Sequence, residues 1–561
     1  MAFSNDQLAA AHAFAQTMIV FDDQPSDGKI NFSNVEKLSK PSRGNQTSST
    51  LPVSEDTESA PLPSHPLNAR ALVQAAIKSG IICSVVNPTG DEDNVVEGVV
   101  MAARRADIIS LDWNIQSSSG PSDNGKLATE IIARILEKDL EIGSRLRLIA
   151  IYSGEVSSEK IYNSIKTALA KKSFIFTYSL DDNALTYKKN VRIVFKKKKT
   201  NSREDGLGVS EENLPKELLE EFSKLSSGLL TNVALATIAQ LRDTTHHILS
   251  KFTSDMDAPY FHHHSKLKGN ESSKDYAVSI ILSALKAEIE KSKVTETYTS
   301  EEAIKNRIDL YKSNNSTFKF TYESKKGQKV FNLRKEDIYD IVIKGYDGWS
   351  EESRKEAKSI KDNTNNSIPS KGDVEKNLTN TFHDNSTDAS NSMKKFMLIT
   401  STQSTELSEI HKKTPPRLGL GSVLQNSDSE YYLCLQATCD TVRGDGYFFF
   451  IPLDIAEKNA VAQIITPNVT SDSDDNLIEL VIPKRCYTKS LSIPFGAITK
   501  EKPYIDVIYN QSSKKYLIKA EDGKEYRWLA NLKYKKALQL AQLVSHELAR
   551  VGYDQFEPFR E

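Results

Sequence analysis

The first two hundred residues alternate between short apolar, β-rich runs and amphipathic helical stretches, and that alternation constrains the fold more than any other feature. The runs are TMIVFDD (17–23), GIICSVVN (80–87), ADIISLDWN (106–114), RLRLIAIYSG (145–154) and NVRIVFKKK (190–198). Between most of them lie LNARALVQAAIKS, NVVEGVVMAARR, KLATEIIARILEKD and SEKIYNSIKTALAKK. Strands buried on both faces read as continuous apolar runs, and parallel neighbours need a crossover that is usually helical. The pattern predicts a doubly wound, five-stranded parallel sheet within residues 1–200, with FIFTYSL and ALTYKK as an added hairpin before the fifth strand. MAFSNDQLAAAHAF reads as a helix leading into the first strand; it lacks the basic start of a signal peptide.

In such a sheet, ligands sit outside the carboxyl ends of the strands. The first strand ends in Asp22 and Asp23, the third in Asp112, the fourth in Ser153-Gly154 and the fifth in Lys196-Lys197. A carboxylate can accept a phosphoryl group where a divalent cation neutralises the charge around it. A neighbouring acidic pair supplies oxygen ligands for a hard cation such as Mg²⁺. A hydroxyl and an ammonium then hold the phosphoryl oxygens.

FDDQP, IISLDWN, IYSG and a lysine closing the fifth strand, in that order, resemble the receiver domain of bacterial response regulators, over about a third of the chain. The resemblance implies Mg²⁺ ligands at Asp22, Asp23, Asp112 and the backbone of Asn114, with Asp112 as phosphoacceptor. It also implies a switch hydroxyl at Ser153, a phosphate-binding lysine at Lys196 with Lys197 as the competing register, and a cognate histidine kinase as donor. Four departures stand out. Residues 31–66 are a Ser/Thr/Pro/Asn-rich insertion after the first strand, expected to be mobile. The loop after Asp112 (IQSSSGPSDNG) is long, and no proline follows the lysines. The family's aromatic, three residues before the lysine, falls on Ile193 or Val194, which predicts retained phosphorylation with weakened output coupling.

Beyond the receiver-like part, residues 210–312 read as a helical domain. Residues 316–349 and 395–561 read as a mainly β domain: TFKFTYE, FMLITS, SVLQ, YYLCLQA, GYFFFIPL, NLIELVIP, YIDVIYN and YLIKA, then one helix over LANLKYKKALQLAQLVSHELARVG. Residues 350–394 look like a mobile linker. The expected whole is a multidomain α/β, α and β protein.

Other candidates favour structural roles. His246 and His247 lie in a helix without the acidic residue that follows a relay histidine. His262, His263 and His264 are adjacent, a spacing that does not converge on one metal. The Lys196–Lys199 run lacks interleaved aromatics, and the net charge is −2, so nucleic acid is not favoured. Cys434 and Cys439 sit on a strand without a CxxC pair; Cys439 with Asp440 is the one alternative catalytic pair. Gly419 and Gly421 mark a turn. Four cysteines and no apolar run of about 20 residues suit a cytoplasmic protein with no membrane span.

The whole chain resembles the receiver-containing buffer, or decoy, protein of bacterial defensive two-component systems against phage. That resemblance implies a phosphate sink beside a separate receiver-bearing effector in the same operon, with no catalytic domain of its own. The alternatives are a phosphorylation-controlled effector enzyme acting through Cys439 and Asp440, and a transcriptional response regulator.

Overall fold

The computed structural model describes residues 2–549 apart from 27–65, 88–89, 116–124, 144, 155–157, 181, 189, 200–207, 226, 267–272, 312–316, 325–326, 361–362, 364–366, 407–414, 438–445, 458–461, 468–476 and 497–503. The expected insertion, most of the loop after Asp112, and the Cys439-Asp440 pair lie outside the described residues. The chain forms two compact units, Met1–Ala239 and Gln240–Glu561.

The first unit runs α1 (Ala2–Phe14), β1 (Thr17–Phe21), β2 (Pro25–Ser26), β3 (Leu67–Asn68), α2 (Ala69–Lys78), β4 (Ile82–Val86), α3 (Glu92–Ala103), β5 (Ile108–Leu111) and α4 (Lys126–Glu141). It continues through β6 (Arg147–Ser153), α5 (Ser158–Lys171), β7 (Thr177–Ser179), β8 (Ala184–Tyr187), β9 (Val191–Lys197) and α6 (Leu214–Leu225). The main sheet has the order β4-β1-β5-β6-β9-β8-β7. Its first five strands are parallel, as the alternation requires. The sheet has seven strands, not five, because the β7–β8 hairpin adds to β9 antiparallel. These two strands lie in FIFTYSL and ALTYKK, the added hairpin expected before the fifth parallel strand, and a tight hairpin extends an edge without a crossover.

Strand alternation divides the core. Ile19, Phe21, Ile109, Leu111, Ile149, Ile151 and Ile193 pack with Val95 and Val99 of α3, Ile131 and Ile135 of α4, and Ile161 and Ile165 of α5. Met18, Val20, Ile108, Leu148, Ala150 and Val194 pack with Ala11 of α1, Leu72 and Ala76 of α2, and Leu214, Leu218 and Phe222 of α6. Helix α6, expected to open a helical domain, is therefore part of the receiver-like unit. Local chemistry sets the helix starts: Asn68 and Asp91 accept from the amides of Ala71 and Asn94. At the start of α4 stands Gly125, at φ +77°, where an added Cβ would lie 2.1 Å from the Trp113 ring. No other residue fits so close an approach in left-handed backbone.

In the second unit, helices Asp257–Ser265, Ser273–Lys291 and Glu301–Tyr311 follow the expected helical pattern. An antiparallel hairpin, Thr317–Ser324 with Gly327–Arg334, packs Phe318, Phe320 and Phe331 against Trp349, Ala357 and Val374. The last two residues come from the stretch expected to be a mobile linker. That stretch instead folds into helices Glu351–Ser359, Lys371–Asn377 and the first part of Ser386–Ser401, with Ser350, Ser370 and Asn385 as side-chain N-caps. Short helices bury few residues each, so their composition resembles a linker's.

FMLITS also departs from expectation: it is the end of the Ser386–Ser401 helix rather than a strand. A ten-stranded sheet carries the rest. Its pairings are antiparallel, and they include Ile464–Pro467, Leu491–Pro494 and Glu525–Leu532, which the alternation had not marked. LANL thus belongs to a strand with Trp528 and Leu529 fully buried, and the terminal helix starts only at Tyr534. Among the described residues no helix is long and apolar enough to cross a membrane.

Candidate functional site

Four parallel strands point their carboxyl ends to one edge, with β6 and β9 running two residues past the ends of β1 and β5. Phe21, Leu111, Ile151 and Phe195 stand level across β1, β5, β6 and β9. The residues just beyond them therefore emerge along one edge, and the hydrogen-bond ladder rather than any loop fixes their spacing. The Asp22 amide bonds Val86 O at 3.2 Å and the Asp112 amide bonds Phe21 O at 2.9 Å, so both carboxylates leave from pinned backbone.

The carboxylates of Asp22, Asp23 and Asp112 come within 4.8 Å of one another. Asp112 Oδ1 accepts from Ser153 Oγ at 2.9 Å and from the Asn114 amide at 3.2 Å. Asp22 Oδ1 accepts from the Gln24 amide at 2.9 Å. The structure thus brings together Asp22, Asp23, Asp112 and Ser153, which the strand ends present, and Asn114, which the resemblance implied.

The lysine differs. Lys198 Nζ lies 2.6 Å from Asp22 Oδ2 and 2.6 Å from Asp112 Oδ2. Lys196 turns to α6, with Glu217 at 3.0 Å and Glu221 at 3.3 Å. Lys197, the other register considered, is on the opposite face of the strand from both. Lys196 stands level with Tyr152, one pleat short of the carboxylates; Lys198 is on the same face and one pleat further out. The spacing to the aromatic was the signal for it. Phe195 is three residues before Lys198, so the aromatic that Lys196 and Lys197 leave absent is present. The expectation of weakened output coupling loses that support.

Electrostatically, two buried carboxylates share one ammonium. Burial raises the Asp22 carboxyl above its ordinary range, Asp112 adds to the rise, and Lys198 opposes it. Burial works against the Lys198 ammonium, but Asp112 and Asp22 outweigh it and hold it above its ordinary value. The cluster carries excess negative charge, and its donors are all carboxylate oxygens. That set fits a hard divalent cation.

Residues 14–203 match the response receiver domain. The matched span is about a third of the chain and holds every residue of the cluster. Receiver domains take a phosphoryl group on an aspartate in two-component systems, and they interact with a phosphodonor such as a histidine kinase. No curated protein and no solved structure matches the chain. Outside the receiver domain the other candidates stay apart. His263 stacks on Tyr276 at 3.9 Å and His264 Nδ1 lies 2.9 Å from Ser273 Oγ, so the three histidines do not converge. Cys434 is fully buried, and its thiol is pushed up to about 12, which leaves it unreactive.

Proposed function

We propose that Asp112 accepts a phosphoryl group from the phosphohistidine of a cognate kinase, in a cytoplasmic protein. The observation that carries this is the joint contact of Ser153 and Lys198 with the two oxygens of Asp112. Attack by an Asp112 oxygen forms a P–O bond as the P–N bond breaks, and the imidazole leaves with the bonding pair. Ser153 and Lys198 are the groups placed to hold phosphoryl oxygens, one by hydrogen bond and one by charge. Asp22, Asp23, Asp112 and the Asn114 carbonyl would hold Mg²⁺, which when bound neutralises charge between the carboxylates and the phosphoryl group. Asp112→Asn should abolish covalent phosphate, followed by intact mass after incubation with kinase and ATP, with thermal unfolding intact. Phosphate retained at the native level on that variant would overturn the assignment.

Two readings remain for the role in the pathway. The resemblance of the chain outside the receiver domain supports a phosphate buffer in anti-phage defence, sparing a separate effector from accidental signalling. Phe195 before Lys198 supports a receiver coupled to an output of its own. Deleting the protein beside its kinase and effector separates them: greater toxicity supports the buffer, and lower toxicity supports the output.

A further inference from the structure

Two helices of the second unit lack a core. Helix Asp257–Ser265 buries no side chain, and in helix Ser273–Lys291 only Ser273 is buried among the described residues. The second helix is nevertheless held at both ends. At its start the Tyr260 hydroxyl donates to Ser273 Oγ at 2.9 Å, His264 Nδ1 lies 2.9 Å from the same atom, and Tyr276 stacks on His263 at 3.9 Å. Near its end Glu288 pairs with Lys251, which precedes the first helix, so the chain doubles back on itself. Between these clamps runs YAVSIILSAL (276–285), a stretch without a charge. Every position from Val278 to Ser283 is exposed. A helix turns once in about 3.6 residues, so no face of this stretch is covered. Val278 is 54% exposed, Ile281 46% and Leu282 58%, and Phe261 on the first helix is 65% exposed. Helices that are apolar all round belong in an interior.

We propose that this helical pair is the surface through which two copies of the chain dimerise, each laying Tyr276–Leu285 against both helices of the other. Three features favour a second copy. Cover is needed on more than one face, and a second pair brings two helices where a docked peptide brings one. The stretch is uncharged, and the charges just beyond it pair within the chain, Glu288 with Lys251 and Lys286 with Glu290. A two-fold contact sets a patch against itself, which suits an uncharged surface and penalises one of net charge. The exposed large apolar side chains from Leu249 to Leu282 together present on the order of 800 Å², the share that each partner brings to a standard interface.

Sedimentation velocity of the full chain over a concentration series should show a dimer of twice the chain mass, with a dissociation constant of about 1 µM or tighter. The double variant Ile281→Glu, Leu282→Glu places charge at the centre of the contact and should weaken association by roughly 30-fold or more, the least that losing a central anchor costs. Both positions are exposed in the single chain, so thermal unfolding of the variant should match that of the native monomer. Ile508→Glu, at an exposed apolar residue of the ten-stranded sheet, is the control and should leave the dimer as it is. In the native chain, amide hydrogen exchange over 276–285 should slow as concentration rises, a readout that needs no variant. A native chain still monomeric at about 100 µM overturns the proposal, whether or not it binds phosphatidylglycerol vesicles or another protein instead. So does a dimer whose exchange over 276–285 is independent of concentration. A dimer that the double variant retains at native strength, or that Ile508→Glu weakens equally, also overturns it.

Discussion

Lys198→Met removes one ammonium and keeps the apolar stem, and its consequences follow from the two contacts that ammonium makes. Both are 2.6 Å long, and the side chain is only 5% exposed, so solvent cannot replace it. Two carboxylates are left facing each other with no counter-charge. Breaking a buried ion pair from one side costs about 3–5 kcal/mol. For a unit of this size, 3 kcal/mol lowers the melting temperature by about 6–12 °C. Mg²⁺ should restore part of that loss, because a cation bound only by the folded state stabilises it by mass action. Loss of one charged group from the phosphoryl-holding set should slow transfer by about 100- to 1,000-fold. Lys196→Met is the control. Lys196 is 17% exposed against glutamates that are 35% and 11% exposed, and its loss costs roughly 1 kcal/mol or less. Initial rates with acetyl phosphate, read by intact mass, and calorimetric melting of both variants decide the matter. A large rate loss in Lys196→Met with near-native Lys198→Met would refute the assignment of the lysine.

Three further outcomes follow from other parts of the unit. Asp23→Ala should lose most of the phosphorylation rate together with its response to Mg²⁺ titration; native-like activity in excess chelator would show that the acidic cluster is not a metal site. Gly125→Ala should destabilise the unit by more than the 1–2 kcal/mol, approximately, of left-handed backbone alone, since its Cβ would meet the Trp113 ring; urea unfolding measures it. For Glu221, burial pushes the carboxyl up, but Arg192, Lys196 and Lys224 outweigh it and hold it below its ordinary range. A carboxyl lowered on folding stabilises above its unfolded value and loses that contribution as pH falls through the folded one. Glu221→Gln should therefore cost about 1.5–3 kcal/mol at neutral pH and progressively less in acid, read as converging urea midpoints.

The sequence alone determined the parallel sheet and most of the acidic cluster, because both rest on local periodicity and on where a strand stops. Continuous apolar runs show which residues are buried on both faces, and the residue after each run shows what the sheet edge presents. Asp22, Asp23, Asp112 and Ser153 were legible on those terms. Lys198 was legible only through Phe195 three residues before it, since consecutive lysines all suit a strand end. The ladder from β6 to β9, which sets Lys196 level with Tyr152, and the carboxylates of α6, which draw Lys196 away, show which lysine reaches the aspartates. The same holds for the stretch from Glu351 to Asn377, polar enough to read as a linker. Its few apolar residues become informative only once Phe318, Phe331 and Trp349 are in place to receive them. Helix α6 is the clearest case: its amphipathic pattern shows that it must bury one face, and tertiary packing alone chooses the sheet whose edge carries Asp22 and Asp112 as the surface that takes it.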